Sequence, residues 1–582
     1  MTQKAHKLKD VFGTPMQFRF TRGLLRYTPL LVVAAFSLAI KLYDPLRSPV
    51  LGALDPWGWT AWAREFLSTG TVNPYFQKTG YTPTFMYLIA MVAVLFHSDA
   101  YDAVRFIPVL SALNVIPIYL LAFEIFHSRK VSALASVLAI TSRYNFMRTS
   151  AAVPESFAQF FFTFSLLFML QSFSQPTWRR RLCAATFITI SVLYYHFTIL
   201  LLVPFLVVLP FVFWSRRKAI TKEMAILIVP PFLLSGVIWF FPLLPNMIHY
   251  YLGTTVATYA RPTFENSLRG LLDVLAYSVA KSGVVGLSEM GYILVAFAFL
   301  GTIYWARRRF KENGAVGVPF IATYLFVLVA AVLISRIVYD LGVAGAGDSS
   351  VYVFSWLTIP ASIFAAYIVF LGLGQIIEGL QTRIVLRDIS RFAKVAAICA
   401  IILLGVANLN SLNYYKAPAG GWPIPDSFYY YKPMTDQTYY ALKYIHDNTP
   451  SNSVILVVGV TGFILSDQAE VTNRTMIGIS NLTIVNRGVI ISGEIRFSNL
   501  STTNLTLGTI APTSAPGPPV YVVAGIRYLT VEMAREHGTP PEIEAQNEQL
   551  LVSQLTNSTS VSPFYQNDQI TIVQIHSVQI TY

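Results

Sequence analysis

The stretch that decides the fold is residues 104–126, VRFIPVLSALNVIPIYLLAFEIF, which is apolar over most of its length. A helix needs roughly 20 mainly apolar residues to cross about 30 Å of hydrocarbon. Similar runs recur from residue 28 to residue 409. Hydrophobic residues make up 54% of the 582 residues, charged residues only 12%, and the mean hydropathy is +0.54. This composition excludes an ordinary soluble fold and indicates a polytopic α-helical membrane protein.

The apolar runs predict about eleven membrane-spanning helices. They are expected near residues 28–43, 104–126, 130–145, 155–174, 182–196, 198–214, 223–243, 288–306, 317–335, 351–373 and 392–410. The first run follows a basic leader at residues 1–27 and lacks a small-residue cleavage site. We therefore expect an uncleaved first helix and a transmembrane domain over residues 28–410.

Basic residues cluster in the connections between the runs, at 129–130, 178–181, 216–218, 307–311 and 383–394. The positive-inside bias places such clusters in the cytoplasm, together with residues 1–27. An odd number of helices then puts residues 411–582 outside the cell membrane. All five N-x-[ST] sequons lie in that region, at Asn473, Asn481, Asn499, Asn504 and Asn557, as glycosylation outside the cytoplasm requires.

The net charge of +13 does not indicate a nucleic-acid partner, because much of it lies in these clusters, where it serves topology and contact with anionic lipid. The two cysteines, Cys183 and Cys399, fall in predicted helices and are interpreted as small apolar residues. The exterior region has short alternating stretches that predict strands, and a helix is expected over 436–447. We expect a mixed α/β domain without disulfides, which suits an archaeal cell surface.

Two outer segments are too long for simple connections, residues 44–103 and residues 244–287. The first contains a short apolar stretch at 84–96. If that stretch crossed the membrane, every later loop would be inverted and the basic pair at 129–130 would lie outside. We therefore expect a half-helix at the outer interface, anchored by neighbouring aromatic residues.

Charged and imidazole side chains gather on the outer face that this topology defines. Carboxylates beside hydrocarbon are costly and usually serve a cation or a proton. They suit a divalent metal, Mg²⁺ or Mn²⁺, whereas arginine suits a lipid phosphate. The candidate acids are Asp55, Glu155 and Glu265, and the candidate phosphate-binding residues are Arg148, Arg336 and His196.

Each candidate also has a purely structural interpretation. Asp55 can cap the helix that starts at Pro56, and Glu155 can sit at the positive end of its helix. Glu265 can be a solvated loop acid. His196 can be an interfacial hydrogen-bonding residue, and Arg336 can extend its head group to the membrane surface.

These residues carry a resemblance to a known family. The outer-loop Asp55-Pro56-Trp57, leading into a short Arg-bearing helix, resembles the first catalytic motif of the oligosaccharyltransferase catalytic subunit, a GT-C glycosyltransferase. Residues 148–156 resemble its second outer loop, in which an Asp-x-Asp or Asp-x-Glu pair opens the fourth helix. Thr263-Phe264-Glu265 is similar to its Thr-Ile-x-Glu segment, and residues 441–454 are similar to the start of its soluble domain.

The chain also departs from the pattern of that family. Val153 stands where the second loop has its first acid, so Glu155 is alone there. Val457–Gly462 replaces the Trp-Trp-Asp-Tyr-Gly motif that reads the hydroxyl of the acceptor sequon. An arginine that holds the lipid pyrophosphate is missing around residues 350–352, and Arg336 is its candidate substitute.

The resemblance implies a membrane enzyme that moves a sugar from a polyprenyl-phosphate or polyprenyl-pyrophosphate donor to an extracytoplasmic protein or glycan acceptor. It implies Asp55 and Glu155 as catalytic residues, and Asp55, Glu155 and Glu265 as ligands of Mn²⁺ or Mg²⁺. The alternative is a catalytically decayed GT-C scaffold that docks or assembles surface glycoproteins. The lost acid at Val153 favours the scaffold, and the retained Asp55 and Glu155 favour the enzyme.

Overall fold

The structure of the protein is a computed structural model. It describes residues 16–47, 55–79, 81–196, 198–214, 217–243, 292–309, 316–340, 350–372, 398–403, 436–458, 474–485, 488–498, 520–524, 561–566, 571–575 and 578–580, with a few single positions between them. The parts of the chain described are a helical region up to residue 403 and a smaller region of mixed helix and sheet from residue 436.

Helices make up nearly all of the first region. They are α1 (Met16–Arg47), α2 (Asp55–Thr69), α3 (Pro74–Thr79), α4 (Thr84–Leu95), α5 (Ala100–Leu110), α6 (Val115–Phe126), α7 (Arg129–Thr141), α8 (Arg143–Ser150), α9 (Pro154–Ser174), α10 (Trp178–Tyr194), α11 (Thr198–Val212), α12 (Arg217–Ser235), α13 (Tyr292–Arg309), α14 (Gly317–Asp340) and α15 (Ser350–Tyr367). A 3₁₀ turn, Ser111–Asn114, joins α5 to α6, and single π-helical turns follow α12 and α15.

The predicted apolar runs are largely helical where the structure describes them, but the run predicted at 130–145 is divided at Ser142 between α7 and α8. Among the described residues, three helical segments are long and apolar enough to cross a membrane: Ala100–Phe126, Pro154–Ser174 and Gly317–Ile334. Five shorter apolar helices accompany them, and one is the stretch Thr84–Leu95 that we interpreted as a half-helix. The helical architecture is that of a polytopic membrane protein, and the number of spans stays a prediction.

Aromatic and aliphatic side chains fill the centre of the helical region. Phe162 of α9 packs edge-on against Trp356 of α15, with ring centroids 5.3 Å apart, and Tyr324 of α14 lies beside Phe205 of α11 at 5.6 Å. All four rings are almost completely buried. At Gly301 of α13, an added Cβ would lie 2.4 Å from the carbonyl oxygen of Phe364, so these two helices touch backbone to backbone.

The second region contains one helix, α16 (Asp436–Asn448), and seven strands. The strands are β1 (Val454–Val458), β2 (Thr475–Val485), β3 (Gly488–Ser498), β4 (Val520–Ala524), β5 (Val561–Gln566), β6 (Thr571–Ile575) and β7 (Val578–Ile580). They form one mixed sheet in the order β5-β6-β4-β1-β2-β3-β7. The central strand β1 is parallel to both of its neighbours, β2 and β4. The predicted helix and the predicted mixed α/β character are both present, and the extracytoplasmic location stays a prediction.

The predicted boundary at residue 27 falls inside α1 (Met16–Arg47), so the first helix begins before the predicted span. The predicted boundary at residue 410 and most of the outer segment 244–287 lie outside the described residues. The two described regions touch through an aromatic contact. Tyr101, near the start of α5, stacks on Tyr439 of α16 with ring centroids 5.6 Å apart, and both side chains are buried. The sheet region therefore meets the helical region at the end of α5 that also carries the first long loop.

Candidate active site

The first outer loop forms a compact aromatic unit around α2. Trp59 is only 5% exposed and packs edge-on against Phe85 at 5.2 Å, while Trp62 stacks on Tyr75 at 4.7 Å. Trp59 is buried and Trp62 and Tyr75 are half-buried in these contacts, so the rings build the loop. The interfacial anchoring that we expected from them stays a prediction. Asp55 is the first residue of α2, and its side chain lies outside the described part of the structure.

The second outer loop contains a buried ion pair. Nε of Arg148, in α8, donates to Oε1 and Oε2 of Glu155 at 3.0 and 3.1 Å, and its Nη2 donates to Oε1 at 2.5 Å. The side chains of Arg148 and Glu155 are 3% and 4% exposed. Such a two-point contact is geometrically specific, and burial makes each charge dependent on the other.

The local sequence explains why Glu155 turns toward Arg148. Val153 is extended, with φ −129° and ψ 148°, and Pro154 occupies the first turn of α9, where its missing N–H costs nothing. Glu155 therefore lies at the positive N-terminal end of α9, as its structural interpretation predicted. The extended residue Val153 interrupts the helical backbone between α8 and α9, so the side chains of Arg148 and Glu155, seven positions apart, can meet.

Polar residues of α1 and of the 3₁₀ turn between α5 and α6 form hydrogen bonds to this loop. Ser111 of the 3₁₀ turn donates to the carbonyl oxygen of Thr149 at 2.6 Å, and Asn114 donates to that of Ser156 at 3.2 Å. Lys41 of α1 also binds the end of α8. None of these three residues was predicted from the sequence to support the site. The signal was available, because a lysine or asparagine inside an apolar run is costly unless it is bonded.

His196 lies in the short connection between α10 and α11. Its ring meets Tyr81 edge-on, with centroids 4.6 Å apart. Burial lowers the pKa of His196 to about 4, so the imidazole is neutral at neutral pH. If His196 contacts a phosphate, as predicted, it would act there as a neutral hydrogen-bond donor and not as a cation.

The three segments that carry Asp55, Glu155 and His196 pack together. Phe85 of the first loop touches Phe157 at 5.7 Å, and Phe157 stacks on Tyr194 at 5.7 Å. Ala152 and Trp59 belong to the same buried cluster. The three segments therefore converge in the structure, and their position on the outer face of the membrane stays a prediction.

The side chains of the remaining predicted residues lie outside the described part of the structure. Arg336 lies in the last turns of α14, but its side chain lies outside the described part. Glu265, Asn473, Asn499, Asn504 and Asn557 also lie outside the described residues. Asn481 lies in β2 beside a register irregularity and is paired with Ser492 of β3. The roles assigned to these residues stay predictions.

The predicted divalent-metal site lies mostly outside the described side chains. Both carboxylate oxygens of Glu155 are bonded to Arg148. Within the described part of the chain, no group of three or more His, Cys, Asp or Glu side chains is arranged to hold a metal ion. A site for Mn²⁺ or Mg²⁺ would therefore depend on Asp55 and Glu265, whose side chains lie outside that part.

Known proteins resemble the chain in two ways. The sequence model of the family described as dolichyl-phosphate-mannose-protein mannosyltransferase matches residues 80–249, which include the second outer loop and His196. The structure is similar to archaeal oligosaccharyltransferase AglB from Archaeoglobus fulgidus in complex with an inhibitory peptide and a dolichol-phosphate, with TM-score 0.50 and 17% identity. That similarity covers 78% of this chain but only 64% of the AglB chain.

A second similar structure is ArnT from Cupriavidus metallidurans bound to undecaprenyl phosphate, with TM-score 0.48 and 12% identity over 94% of this chain and 98% of that chain. No curated protein sequence matches the chain significantly. The resemblance predicted from the Asp55 and Glu155 loops is confirmed: the chain resembles GT-C glycosyltransferases, including the archaeal oligosaccharyltransferase.

Proposed function

We propose that this protein is a membrane glycosyltransferase that moves a sugar from a polyprenyl-phosphate or polyprenyl-pyrophosphate donor to an acceptor on the outer face of the membrane. The observation that carries the proposal is the buried Arg148–Glu155 pair, in a loop whose Ala152 shares a buried cluster with Trp59 of the helix that begins at Asp55. The family match and the dolichol-phosphate in the AglB complex support a phosphorylated lipid as the donor.

Arg148 is the proposed partner of the donor phosphate. Glu155 occupies the Nε and Nη2 edge of the guanidinium, so a phosphate would approach from the Nη1 side. When the bond between the sugar C1 and the phosphate oxygen breaks, negative charge grows on the phosphate. A cation already fixed in position stabilises this charge without reorganisation. Glu155 is then a positioning residue for Arg148, in addition to its predicted catalytic and metal-binding roles.

Asp55 is the proposed general base. The acceptor oxygen or nitrogen forms the new bond to C1, and its proton passes to the Asp55 carboxylate. The aromatic packing of Trp59 against Phe85 fixes the helix that begins at this residue. A divalent metal bound through Asp55 and Glu265 would supply Lewis-acid stabilisation, and this part of the proposal depends on those two side chains.

The second candidate function is a scaffold without transferase activity. Two observations favour it: Val153 replaces an acid of the family pattern, and both oxygens of Glu155 are already bonded to Arg148. A scaffold needs Arg148 and Glu155 only for folding. The two functions therefore differ in sugar transfer: a transferase that still folds should lose transfer when Arg148 is changed, whereas a scaffold has no transfer to lose.

The test is transfer of radiolabelled sugar from polyprenyl-linked donors by the purified protein in lipid vesicles. Arg148→Gln and Asp55→Asn are the site variants. Arg181→Gln is the matched control. Arg181 forms a similar two-point pair with Glu223, in which Nε donates to Oε1 at 2.7 Å and Nη2 donates to Oε2 at 2.6 Å. This pair lies near the N-terminal ends of α10 and α12.

We expect Arg148→Gln to reduce transfer roughly 10²- to 10³-fold, as removal of an oriented charge-stabilising donor does. We expect Arg181→Gln to retain it. A folded wild-type protein that transfers no sugar from any of the donors would favour the scaffold.

A further inference from the structure

A single lysine lies in the apolar part of the first helix. Lys41 is the only charged residue between Tyr27 and Tyr43, and it is 3% exposed. A charged side chain in such a place is costly and is retained when it has bonding partners or a function. No part of the proposed reaction has used this residue.

The ammonium group of Lys41 is fully engaged by α8. Nζ donates to the carbonyl oxygen of Phe146 at 3.0 Å, to Oγ1 of Thr149 at 2.6 Å and to Oγ of Ser150 at 2.7 Å. It also lies 4.4 Å from the centre of the Phe146 ring. An ammonium has three N–H donors, and three acceptors surround it. Lys41 therefore has no N–H left with which to bind a substrate directly.

The three acceptors surround Arg148 along the chain, with one before it and two after it. They lie in the last turn of α8, where carbonyl oxygens lack partners within the helix and a cation is favourable. Ser111 binds the carbonyl of Thr149 in the same turn. The backbone that carries Arg148 is thus tied to α1 by Lys41 and to the α5–α6 segment by Ser111.

We propose that Lys41 is a positioning residue that holds the last turn of α8, and with it the Arg148 guanidinium, in place for the donor phosphate. The positioning of α8 follows from the contacts of Lys41 alone, whereas its consequence for phosphate binding rests on the proposed function. Methionine at this position would fill the space of the lysine stem but would leave all three acceptors without this donor.

The test uses two measurements on the purified full-length protein. The first is hydrogen–deuterium exchange of the amides of residues 143–156. The second is the affinity for farnesyl phosphate and for farnesol, which differ only in the phosphate group. The variants are Lys41→Met and the milder Ser150→Ala, which removes one acceptor and keeps every charge. The matched control is Ser37→Ala, one helical turn earlier, because Ser37 is buried and, among the described residues, its hydroxyl has no hydrogen-bond partner.

We expect faster exchange in residues 143–156 for Lys41→Met, a smaller increase for Ser150→Ala and no change for Ser37→Ala. We expect Lys41→Met to weaken farnesyl phosphate binding roughly ten- to hundredfold, as small displacements of a binding group do, and to leave farnesol binding unchanged. General destabilisation would weaken both ligands alike, and that result would overturn the proposed consequence for phosphate.

Unchanged exchange in Lys41→Met would overturn the positioning role itself. A wild-type protein that binds farnesol and farnesyl phosphate equally would instead contradict the proposed function. In that case the exchange measurement still decides whether Lys41 positions α8.

Discussion

Removing one partner of the Arg148–Glu155 pair should destabilise the protein much more than removing both. Glu155→Leu leaves the Arg148 guanidinium charged at a position where its side chain is only 3% exposed. A buried charge that loses its partner costs about 3–5 kcal/mol, so we expect each single variant, Glu155→Leu or Arg148→Met, to lose about that much stability. The double variant buries two apolar side chains in their place and should cost about 1 kcal/mol or less.

The measurement is a double-mutant cycle on the free energy of unfolding, obtained by chemical denaturation of the purified protein in micelles. Single losses of about 3–5 kcal/mol each and a double loss of about 1 kcal/mol or less correspond to a coupling free energy of at least about 5 kcal/mol. Arg181 and Glu223 provide the control cycle. The Arg181 side chain is 29% exposed, so water screens its charge and the coupling should be about 1 kcal/mol or less. Strictly additive losses at Arg148 and Glu155 would refute the buried pair as described.

Four further outcomes are expected. In sealed inside-out vesicles, residues 411–582 should be protected from protease, and their digestion would contradict the predicted topology. Mn²⁺ should raise the melting temperature of the wild type and not that of Asp55→Asn, and an equal shift in both would remove Asp55 from the metal site. The pKa of His196 falls from 6.5 to about 4 on folding, so the unfolded chain binds more protons between these values. Stability should therefore fall as the pH is lowered from about 6.5 to about 4, and His196→Asn should lose this part of the dependence. Sugar transfer to acceptor peptides with Asn-x-Thr and with Asn-x-Ala should be about equal, because Val457–Gly462 offers only the Thr461 hydroxyl to recognise the third position. A strong preference for Asn-x-Thr would show that another segment recognises that position.

Much of the helical architecture could be predicted from the sequence because hydrocarbon imposes a simple requirement. A run of roughly 20 apolar residues in a bilayer must satisfy its backbone internally, and a helix does so. The predicted run at 155–174 is α9, Pro154–Ser174, and the predicted helix at 436–447 is α16, Asp436–Asn448. The contacts among the aromatic residues of the first loop could not be predicted, because composition alone does not distinguish a ring in lipid from a ring packed against others.

The contact between Arg148 and Glu155 could not be predicted from the sequence. Arg148 and Glu155 were assigned to a phosphate and to a metal, whereas in the structure they bond to each other. Their contact depends on the extended residue Val153, which turns the chain between two helices, and helical periodicity contains no information about such a break. Lys41 stood out in the sequence as a charge inside an apolar run, but its partner did not, because Lys41 and Ser111 lie 108 and 38 residues from Thr149, to which both bind.

The 3₁₀ turn Ser111–Asn114 has a consequence for how the membrane acts on the site. Because Ser111 and Asn114 bind the carbonyl oxygens of the residues that follow Arg148 and Glu155, the depth of that pair in the bilayer follows the position of the candidate span Ala100–Phe126. A span that is too long for its bilayer tilts, and one that is too short thins the bilayer around it. A thinner or thicker bilayer should therefore move the ion pair together with this span, so that lipid chain length tunes the depth at which a phosphate would be met.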